Sequence, residues 1–399
     1  MSNDTPVSTV QSPTESASHS SSVKSPDAEA RPKFAKNDGF QAELRKRVDA
    51  YFRSSGRHER DCPQMYLKTI IILGCFAASY FALVFLAETW WQGLLLSLLV
   101  GLSTAGIGFN IQHDGGHNAY SNRPWINKLM AMTIDMIGGS SYMWHWKHVI
   151  FHHTYTNITG HDTDIELGVL GRLSPHQKRL LFHRWQHFYL WPLYGFIAIK
   201  WHLYDDFRDI LAGRIGEHTI PRPRGWDLVT FLAGKVLFFT LAFGIPILMH
   251  SWWVVLLFYT ITEVLLGIIL SIVFQSAHCV EGAAFPALPK ETGRIENAWA
   301  VHQVQSTVDF AQRSSILTWY LGGLNFQIEH HLFPRICHVN YPRLSKVVEE
   351  TCKEYGVRYR AFPSFGGALK AHYLWLREMG RSESVEKDLN SPAGSVGTS

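Results

Sequence analysis

Residues 67–117 decide the fold, and they read LKTIIILGCFAASYFALVFLAETWWQGLLLSLLVGLSTAGIGFNIQHDGGH. Two apolar runs in this stretch, 67–87 and 93–111, are separated by only five residues. Each run is close to the roughly 20 residues that a helix needs to cross the hydrocarbon core of a membrane. The stretch therefore predicts a tight hairpin of two membrane-spanning helices, followed at once by His113 and His117.

A second pair of apolar runs repeats this arrangement later in the chain. Residues 228–249 are interrupted only by Lys235, and residues 252–274 only by Glu263. Tryptophan side chains prefer the membrane–water interface, and each hairpin turn adjoins a tryptophan pair: Trp90, Trp91, Trp252 and Trp253. The sequence thus predicts an all-α integral membrane protein with four transmembrane helices in two hairpins.

Positive charges set the predicted orientation. The turns inside the hairpins contain no Lys or Arg, whereas residues 1–66 contain 10, residues 112–227 contain 12 and residues 275–399 contain 13. Segments rich in Lys and Arg remain in the cytoplasm. We therefore predict that both termini are cytoplasmic, together with a helical cap formed by residues 112–227 and 275–399. The net charge of +4 is too small to indicate a nucleic-acid partner.

Composition predicts four segments along the chain. Residues 1–38 are rich in Ser, Thr, Pro and Asp, which is typical of a disordered tail. Residues 39–65 predict a basic amphipathic helix on the membrane surface, although an ordinary packed helix is equally consistent with its apolar positions: Leu44, Val48, Tyr51 and Phe52. Residues 66–360 form the membrane domain, and residues 361–399 are predicted to be a cytoplasmic tail.

Two further apolar stretches, 129–143 and 188–201, are too short to cross a membrane. We interpret them as interfacial or partly re-entrant segments. They are candidate walls of a substrate tunnel, and plain packing in the membrane is equally consistent with their composition.

Histidine is the unusual residue type, with 21 copies in the chain. His113 and His117 are four positions apart, as are His148 and His152, so each pair lies on one face of a helix. A third cluster combines Gln327 with two adjacent histidines, and one more histidine follows the fourth span. The candidate metal ligands are His113, His117, His148, His152, His153, His278, His330 and His331.

These eight histidines all lie on the cytoplasmic side of the topology that the Lys and Arg counts predict. Eight imidazoles exceed the four ligands of one tetrahedral zinc, which predicts two metal ions. Imidazole suits zinc, copper, iron and nickel. Nearby carboxylates are interpreted as acceptors for imidazole N–H groups, namely Asp114, Asp162, Asp164 and Glu329.

These motifs resemble those of a known family. HDGGH (113–117), HVIFHH (148–153) and QIEHH (327–331) are similar to the three histidine boxes of integral-membrane fatty-acid desaturases, and the resemblance covers roughly residues 60–360. Glutamine at the start of the third box, and the segment 157–164, resemble the front-end type, which includes linoleoyl-CoA desaturase-like enzymes.

The resemblance implies a fatty acyl desaturase, an oxidoreductase that reduces O2 to water and leaves a polyunsaturated product. It also implies two iron ions, held in the cap by the eight histidines. Gln327 stands where related enzymes have a ligating histidine, and whether it binds iron directly, through water or not at all stays open. An unactivated methylene offers no acid–base handle, so a metal centre must carry this chemistry.

Many eukaryotic enzymes of the front-end type carry a fused cytochrome-b-type domain marked by His-Pro-Gly-Gly, and this sequence contains no such motif. The resemblance therefore implies an external electron donor, ferredoxin or a free cytochrome, with its reductase. Basic cytoplasmic loops offer such an acidic donor a docking surface. The other implied partners are membrane lipid and an acyl substrate linked to CoA, lipid or a carrier protein. The host membrane is predicted to be a bacterial inner membrane or the endoplasmic reticulum.

Two alternatives remain at the level of the sequence. A hydroxylase of the same di-iron superfamily, acting on a lipid, an alkane or a sterol, shares the ligand set, and only the glutamine of the third box favours the desaturase. A metal transporter predicts histidines within the spans, whereas these lie beyond the span ends. Chain length, double-bond position, oligomeric state and the role of the N-terminal tail are left open.

Overall fold

The computed structural model describes residues 32–36, 39–289 and 292–382. The predicted disordered tail, residues 1–38, therefore lies almost entirely outside the described residues, as does the end of the predicted C-terminal tail. Helices predominate in the described part of the chain, and its strands form short pairs. Lys33–Phe34 pairs in parallel with Arg294–Ile295, Arg214–Ile215 pairs antiparallel with His218–Thr219, and Asp309–Phe310 pairs in parallel with Ala361–Phe362.

Four helices are long and apolar enough to cross a membrane, and they confirm the predicted spans. They are Pro63–Leu86, Trp90–Gly116, Trp226–Met249 and Trp252–His278, named here spans 1 to 4. Most extend past the predicted apolar run, because the helical backbone continues into polar residues. Spans 2 and 4 therefore carry His113 and His278 directly on their ends.

Hydrogen bonds stabilise the first hairpin turn and join the second turn to span 1. Thr89 and Gln92 form a capping box at the start of span 2, in which the Thr89 N–H donates to Gln92 Oε1 at 3.0 Å. In the other turn, His250 Nε2 lies 2.7 Å from the carbonyl oxygen of Val84. The two turns consequently meet at the same end of the helix bundle, opposite to the histidine clusters.

Spans 2 and 4 pack closely, and Gly101 permits their approach. A Cβ atom at Gly101 would lie 3.1 Å from the carbonyl oxygen of Thr262, which is tighter than ordinary van der Waals contact. The close packing fixes the relative positions of the two helix ends that carry His113 and His278.

Shorter helices form the cap. One precedes the spans, at Phe40–Ser55. Those between spans 2 and 3 are Pro124–Ala131, Thr133–Met136, Ser141–Trp144, His145–His152, His153–Tyr155, Thr163–Ile165, Gly168–Leu170, Leu181–Trp185, Gln186–Tyr194, Ile197–Lys200, Trp201–Asp205 and Asp206–Ala212. Those after span 4 are Trp299–Ser306, Ser315–Tyr320, Gln327–Leu332, His338–Asn340, Tyr341–Glu354 and Phe365–Met379. The predicted short apolar stretches, 129–143 and 188–201, are each divided among several of these helices.

The helix predicted to lie on the membrane surface packs inside the protein instead. Helix Phe40–Ser55 contacts the helices Trp299–Ser306, Gln327–Leu332 and Tyr341–Glu354. Its apolar face is buried there, through Phe40, Leu44, Val48 and Phe52. The interfacial prediction for residues 39–65 is therefore wrong for this helix, because its apolar face meets protein rather than lipid, and the packed alternative holds.

The predicted cytoplasmic tail also begins inside the packed part of the protein. Strand Ala361–Phe362 pairs with Asp309–Phe310, and helix Phe365–Met379 follows it. This helix buries one face, formed by Ala368, Ala371, His372, Trp375, Leu376 and Met379. The boundary placed at residue 360 is thus wrong for residues 361–379, whose apolar spacing suits packing against other helices.

Candidate metal centre

The three histidine clusters lie on helical turns at one end of the bundle. The first cluster directly follows a π-helical turn, Ile107–Gln112, and the second lies on another, His145–His152. His278 ends span 4, and helix Gln327–Leu332 carries the third cluster. π-helical turns are rare and occur frequently at functional sites. The histidine spacing predicted ordinary α-helical turns, so this geometry is a feature that only the structure reveals.

All eight predicted histidines come together, and all are buried. They form overlapping groups in which the ligand nitrogens lie within 4.8 Å of one another. The largest group is His113, His117, His148 and His330; a second is His152, His278 and His331; a third is His153, His330 and His331. Because the third group shares one residue with each of the others, the histidines form two adjacent positions that could each hold a metal ion, with His153 between them.

Many of the ring nitrogens have no hydrogen-bond partner. Among the eight candidate ligands, a buried and unpartnered Nε2 occurs in His117, His148, His152, His153, His330 and His331. Buried polar atoms are normally paired, and each exception needs an explanation. Converging imidazole lone pairs are the donor set that a transition metal uses. The residues present therefore fit a two-metal centre.

Two of the four predicted carboxylates contact candidate ligands. His152 Nδ1 lies 3.0 Å from Asp162 Oδ2, and His148 Nδ1 lies 3.5 Å from Asp164 Oδ2. A carboxylate that accepts the proton of Nδ1 fixes the ring and leaves the lone pair of Nε2 for a metal. For these two residues the structure has the predicted arrangement.

The other two carboxylates face elsewhere. Asp114 Oδ2 accepts a hydrogen bond from His338 Nδ1 at 2.9 Å. Glu329 Oε1 accepts one from the Tyr359 hydroxyl at 3.1 Å. Asp114 therefore accepts an imidazole N–H, as predicted, but from His338 rather than from one of the eight candidate ligands. For Glu329 the prediction is wrong, because its side chain faces Tyr359.

Two residues that the sequence did not single out hold histidines in place of those carboxylates. His331 Nδ1 donates to Gln303 Oε1 at 2.8 Å, and His330 Nδ1 lies 3.3 Å from the hydroxyl of Tyr341. An isolated Gln or Tyr, distant in sequence from the clusters, has no spacing pattern that would have identified it.

Gln327 adjoins the second metal position. Its Nε2 lies 2.9 Å from Nε2 of His278. A side-chain amide presents a donor nitrogen on one side and an acceptor oxygen on the other. Rotation of the Gln327 amide by a half-turn therefore brings its oxygen to the position that Nε2 now occupies.

Burial favours neutral imidazoles in this cluster. Burial and the neighbouring histidines lower the pKa of His153, His330 and His331 well below the ordinary value. Burial would also lower the pKa of His152, but the carboxylates of Asp162 and Asp164 together outweigh burial and raise it. Neutral imidazole is the form that binds a metal, so the electrostatics agree with the geometry.

An apolar cavity of about 340 Å³ lies among the four spans. Side chains from every span line it, Val100 of span 2 among them. Met136 and Ile137, from the predicted tunnel segment 129–143, also line it, whereas no residue of the predicted segment 188–201 does. Its apolar walls suit a hydrocarbon chain.

Comparison with known proteins gives consistent matches. A model of the fatty acid desaturase family matches residues 88–363. The chain is 38% identical to an sn-1 linoleoyl-lipid 6-desaturase of a Synechocystis strain, with 88% of this chain and 98% of the relative covered. It is 40% identical to the sn-1 linoleoyl-lipid 6-desaturase of Arthrospira platensis, with 87% and 94% covered. It is 37% identical to an acyl-lipid (8-3)-desaturase of Physcomitrium patens, with 88% and 73% covered.

Proposed function

The chain belongs to the fatty acid desaturase family, and we propose that it is a front-end acyl-lipid desaturase. It introduces a double bond into a lipid-linked acyl chain, between the carboxyl group and an existing double bond, and the product is polyunsaturated. The names of its relatives, which act on linoleoyl-lipid and acyl-lipid substrates, support a lipid rather than CoA as the acyl carrier.

One observation carries the proposal: eight buried histidines from four segments converge at one end of the bundle of spans. Six of them have an unpartnered Nε2 atom, and these atoms offer ligands for two metals. We assign iron to both positions. His113, His117, His148 and His330 would hold one ion, and His152, His278 and His331 would hold the other. His153 adjoins both groups, and the amide of Gln327 would complete the second.

The reaction removes two hydrogen atoms from adjacent methylenes: –CH2–CH2– + O2 + 2 e⁻ + 2 H⁺ gives –CH=CH– + 2 H2O. Iron, when bound, supplies the oxidising power that amino-acid side chains lack. Asp162, Gln303 and Tyr341 fix the rings that face the metals. The cavity among the spans holds the methyl end of the chain, excludes water and sets which methylenes reach the centre.

We place the metal centre, the cap and both termini in the cytoplasm, because the segments that carry the histidines also carry most of the Lys and Arg residues. The two electrons come from an external ferredoxin or free cytochrome with its reductase. The host membrane is a bacterial inner membrane or the endoplasmic reticulum.

Fatty-acid profiling of a host that expresses the chain and is fed linoleate tests this function. We expect a new polyunsaturated acid, provided that a compatible electron donor is co-expressed. The double variant His152→Ala/His153→Ala removes ligands from the centre and should abolish the product. His58→Ala, at an exposed histidine, serves as the control and should leave the product unchanged.

The position of the new double bond, determined by gas chromatography with mass spectrometry, gives the regiochemistry. A hydroxylated lipid without a new alkene would contradict desaturation and point to the hydroxylase chemistry of the same superfamily.

A further inference from the structure

Five exposed cations lie beside the third histidine cluster, and we name them the basic patch: Arg53, Arg57, Arg335, Arg343 and Lys346. The fold joins the two stretches from which they come. The Cys337 N–H donates to the carbonyl oxygen of Glu59 at 2.8 Å, and Asn340 Nδ2 donates to that of His58 at 3.0 Å. The end of helix Phe40–Ser55 therefore lies against the segment that follows the third cluster.

The cations outnumber the carboxylates in the two stretches that carry the basic patch. Residues 49–60 and 333–350 contain six Lys and Arg residues, and their acidic residues are Asp49, Glu59, Glu349 and Glu350. Within the described residues, no cation of the patch forms an ion pair, whereas Arg47 on the same helix pairs with both Glu43 and Glu354. Cations that lack an acidic partner make the local electrostatic potential more positive and attract acidic proteins.

The basic patch covers a short connection to the metal centre. Beneath it, Phe52, Ile336, Tyr341 and Leu344 pack together in one buried cluster. Tyr341 is only 1% exposed, and its hydroxyl lies 3.3 Å from Nδ1 of His330, an assigned iron ligand. Helix Tyr341–Glu354, which carries Arg343 and Lys346 of the patch, thus also contacts the ligand through Tyr341.

We infer that the basic patch is the docking surface for an acidic electron-carrier protein. The inference rests on the proposed function, because desaturation takes up two electrons for each double bond. Two carrier molecules each lose one electron and are oxidised. These two electrons, with two protons and the two hydrogen atoms taken from the acyl chain, reduce O2 to two molecules of water. Positive charge suits the acidic partner, and Tyr341 places His330 directly behind the contact.

The test uses the full-length, iron-loaded protein in nanodiscs of neutral phosphatidylcholine. The variant Arg335→Glu/Arg343→Glu/Lys346→Glu reverses three charges of the patch. The matched control, Lys178→Glu/Lys370→Glu/Arg377→Glu, reverses three exposed cations elsewhere on the cap. The probes are a plant-type ferredoxin and a soluble cytochrome b5, whose Kd values and oxidation rates are measured at low and high ionic strength.

We expect the patch variant to weaken binding of at least one probe by about tenfold or more at low ionic strength. Its binding should also lose most of the salt dependence, while the control behaves as the parent does. Equal Kd values for the parent and the patch variant with both probes would overturn the inference.

Anionic lipid is the competing occupant of the patch. If carrier binding is unchanged, and the patch variant loses activity only in nanodiscs that contain phosphatidylglycerol, the surface contacts lipid and the inference is wrong.

A small reductant separates this inference from the proposed function. With dithionite and a mediator in place of the carrier, the patch variant should form product at the parental rate. If the unmodified protein forms no product with any reductant, the proposed function fails, and the Kd measurements still decide the docking surface.

Discussion

His331 shows, at the scale of single residues, how the metal centre depends on side chains that are not ligands. An imidazole binds a metal through one nitrogen, so its ring is oriented by whatever holds the other. For His331 that group is the amide oxygen of Gln303, which lies 2.8 Å from Nδ1 and also 2.9 Å from the hydroxyl of Thr156. One buried amide thereby links two of the segments that build the second metal position.

The variant Gln303→Leu should therefore lose iron from the second position. Without the amide oxygen, Nδ1 of His331 keeps only the longer contact with the Thr156 hydroxyl, at 3.3 Å. Loss of such a partner typically costs 10–100-fold in metal affinity or activity. Iron content by mass spectrometry and product formation measure the effect. Gln305→Leu is the control, since Gln305 lies on the same helix but bonds to Asn297; equal iron contents in the two variants would contradict the role of Gln303.

At the scale of helices, the packing of the spans sets the length of the cavity. Val100 on span 2 lines the cavity, while its neighbour Leu99 is 49% exposed on the outer surface of the bundle. Val100→Phe adds a ring inside the cavity and should shift the product ratio of shorter to longer acyl chains by about tenfold. Competition between fed acids of different length measures this ratio, and Leu99→Phe should leave it unchanged. An unaltered ratio in Val100→Phe would mean that the acyl chain does not enter the cavity.

Helix Phe40–Ser55 supports the third histidine cluster from behind. Leu44 is 1% exposed and packs in one cluster with Ile328 and Leu332, which flank His330 and His331. Truncation of such a buried leucine typically costs about 2–5 kcal/mol. Leu44→Ala should lower the melting temperature and the retained iron together, whereas Arg45→Ala, exposed on the same helix, should change neither. A normal melting temperature in Leu44→Ala would show that the helix is dispensable.

The same helix shows where sequence reasoning reaches its limit. The spacing of Leu44, Val48 and Phe52 correctly predicts an amphipathic helix, but amphipathicity is equally satisfied by lipid or by protein. Only the tertiary contacts decide between the two. The spans were predictable because their length matches the thickness of the membrane. The grouping of the eight histidines was predictable because spacings of three and four residues place side chains on one face of a helix. Gln303 and Tyr341 were not predictable, since their roles arise from contacts between distant segments.

For the whole molecule, the agreement of independent signals explains why the architecture was predictable. Hydropathy predicts the spans, Lys and Arg predict the orientation, and histidine spacing predicts the ligands, each without reference to the others. The structure places the histidines at the ends of spans 2 and 4, where the cap meets the bundle. Assembly of all eight histidines therefore requires the bundle and the cap to be folded together.

The buried histidine cluster should make the metal-free protein less stable in acid. In the folded chain, burial and neighbouring histidines hold the pKa of His153, His330 and His331 well below the usual value, whereas in the unfolded chain it returns to about 6.5. Below that pH the unfolded chain binds more protons than the folded chain, so the free energy of unfolding falls as the pH falls. Each such residue contributes up to about 1.4 kcal/mol per pH unit, and His152, with its raised pKa, opposes them.

The melting temperature of the chelator-treated protein should accordingly be lower at about pH 5.5 than at about pH 7.5. His331→Gln removes one titrating ring and should reduce the difference, because fewer protons are then taken up on unfolding. His58→Gln, at an exposed histidine, should retain the full difference. Equal melting temperatures at the two pH values would contradict the argument, since they would mean that the histidine cluster binds as many protons in the folded chain as in the unfolded one.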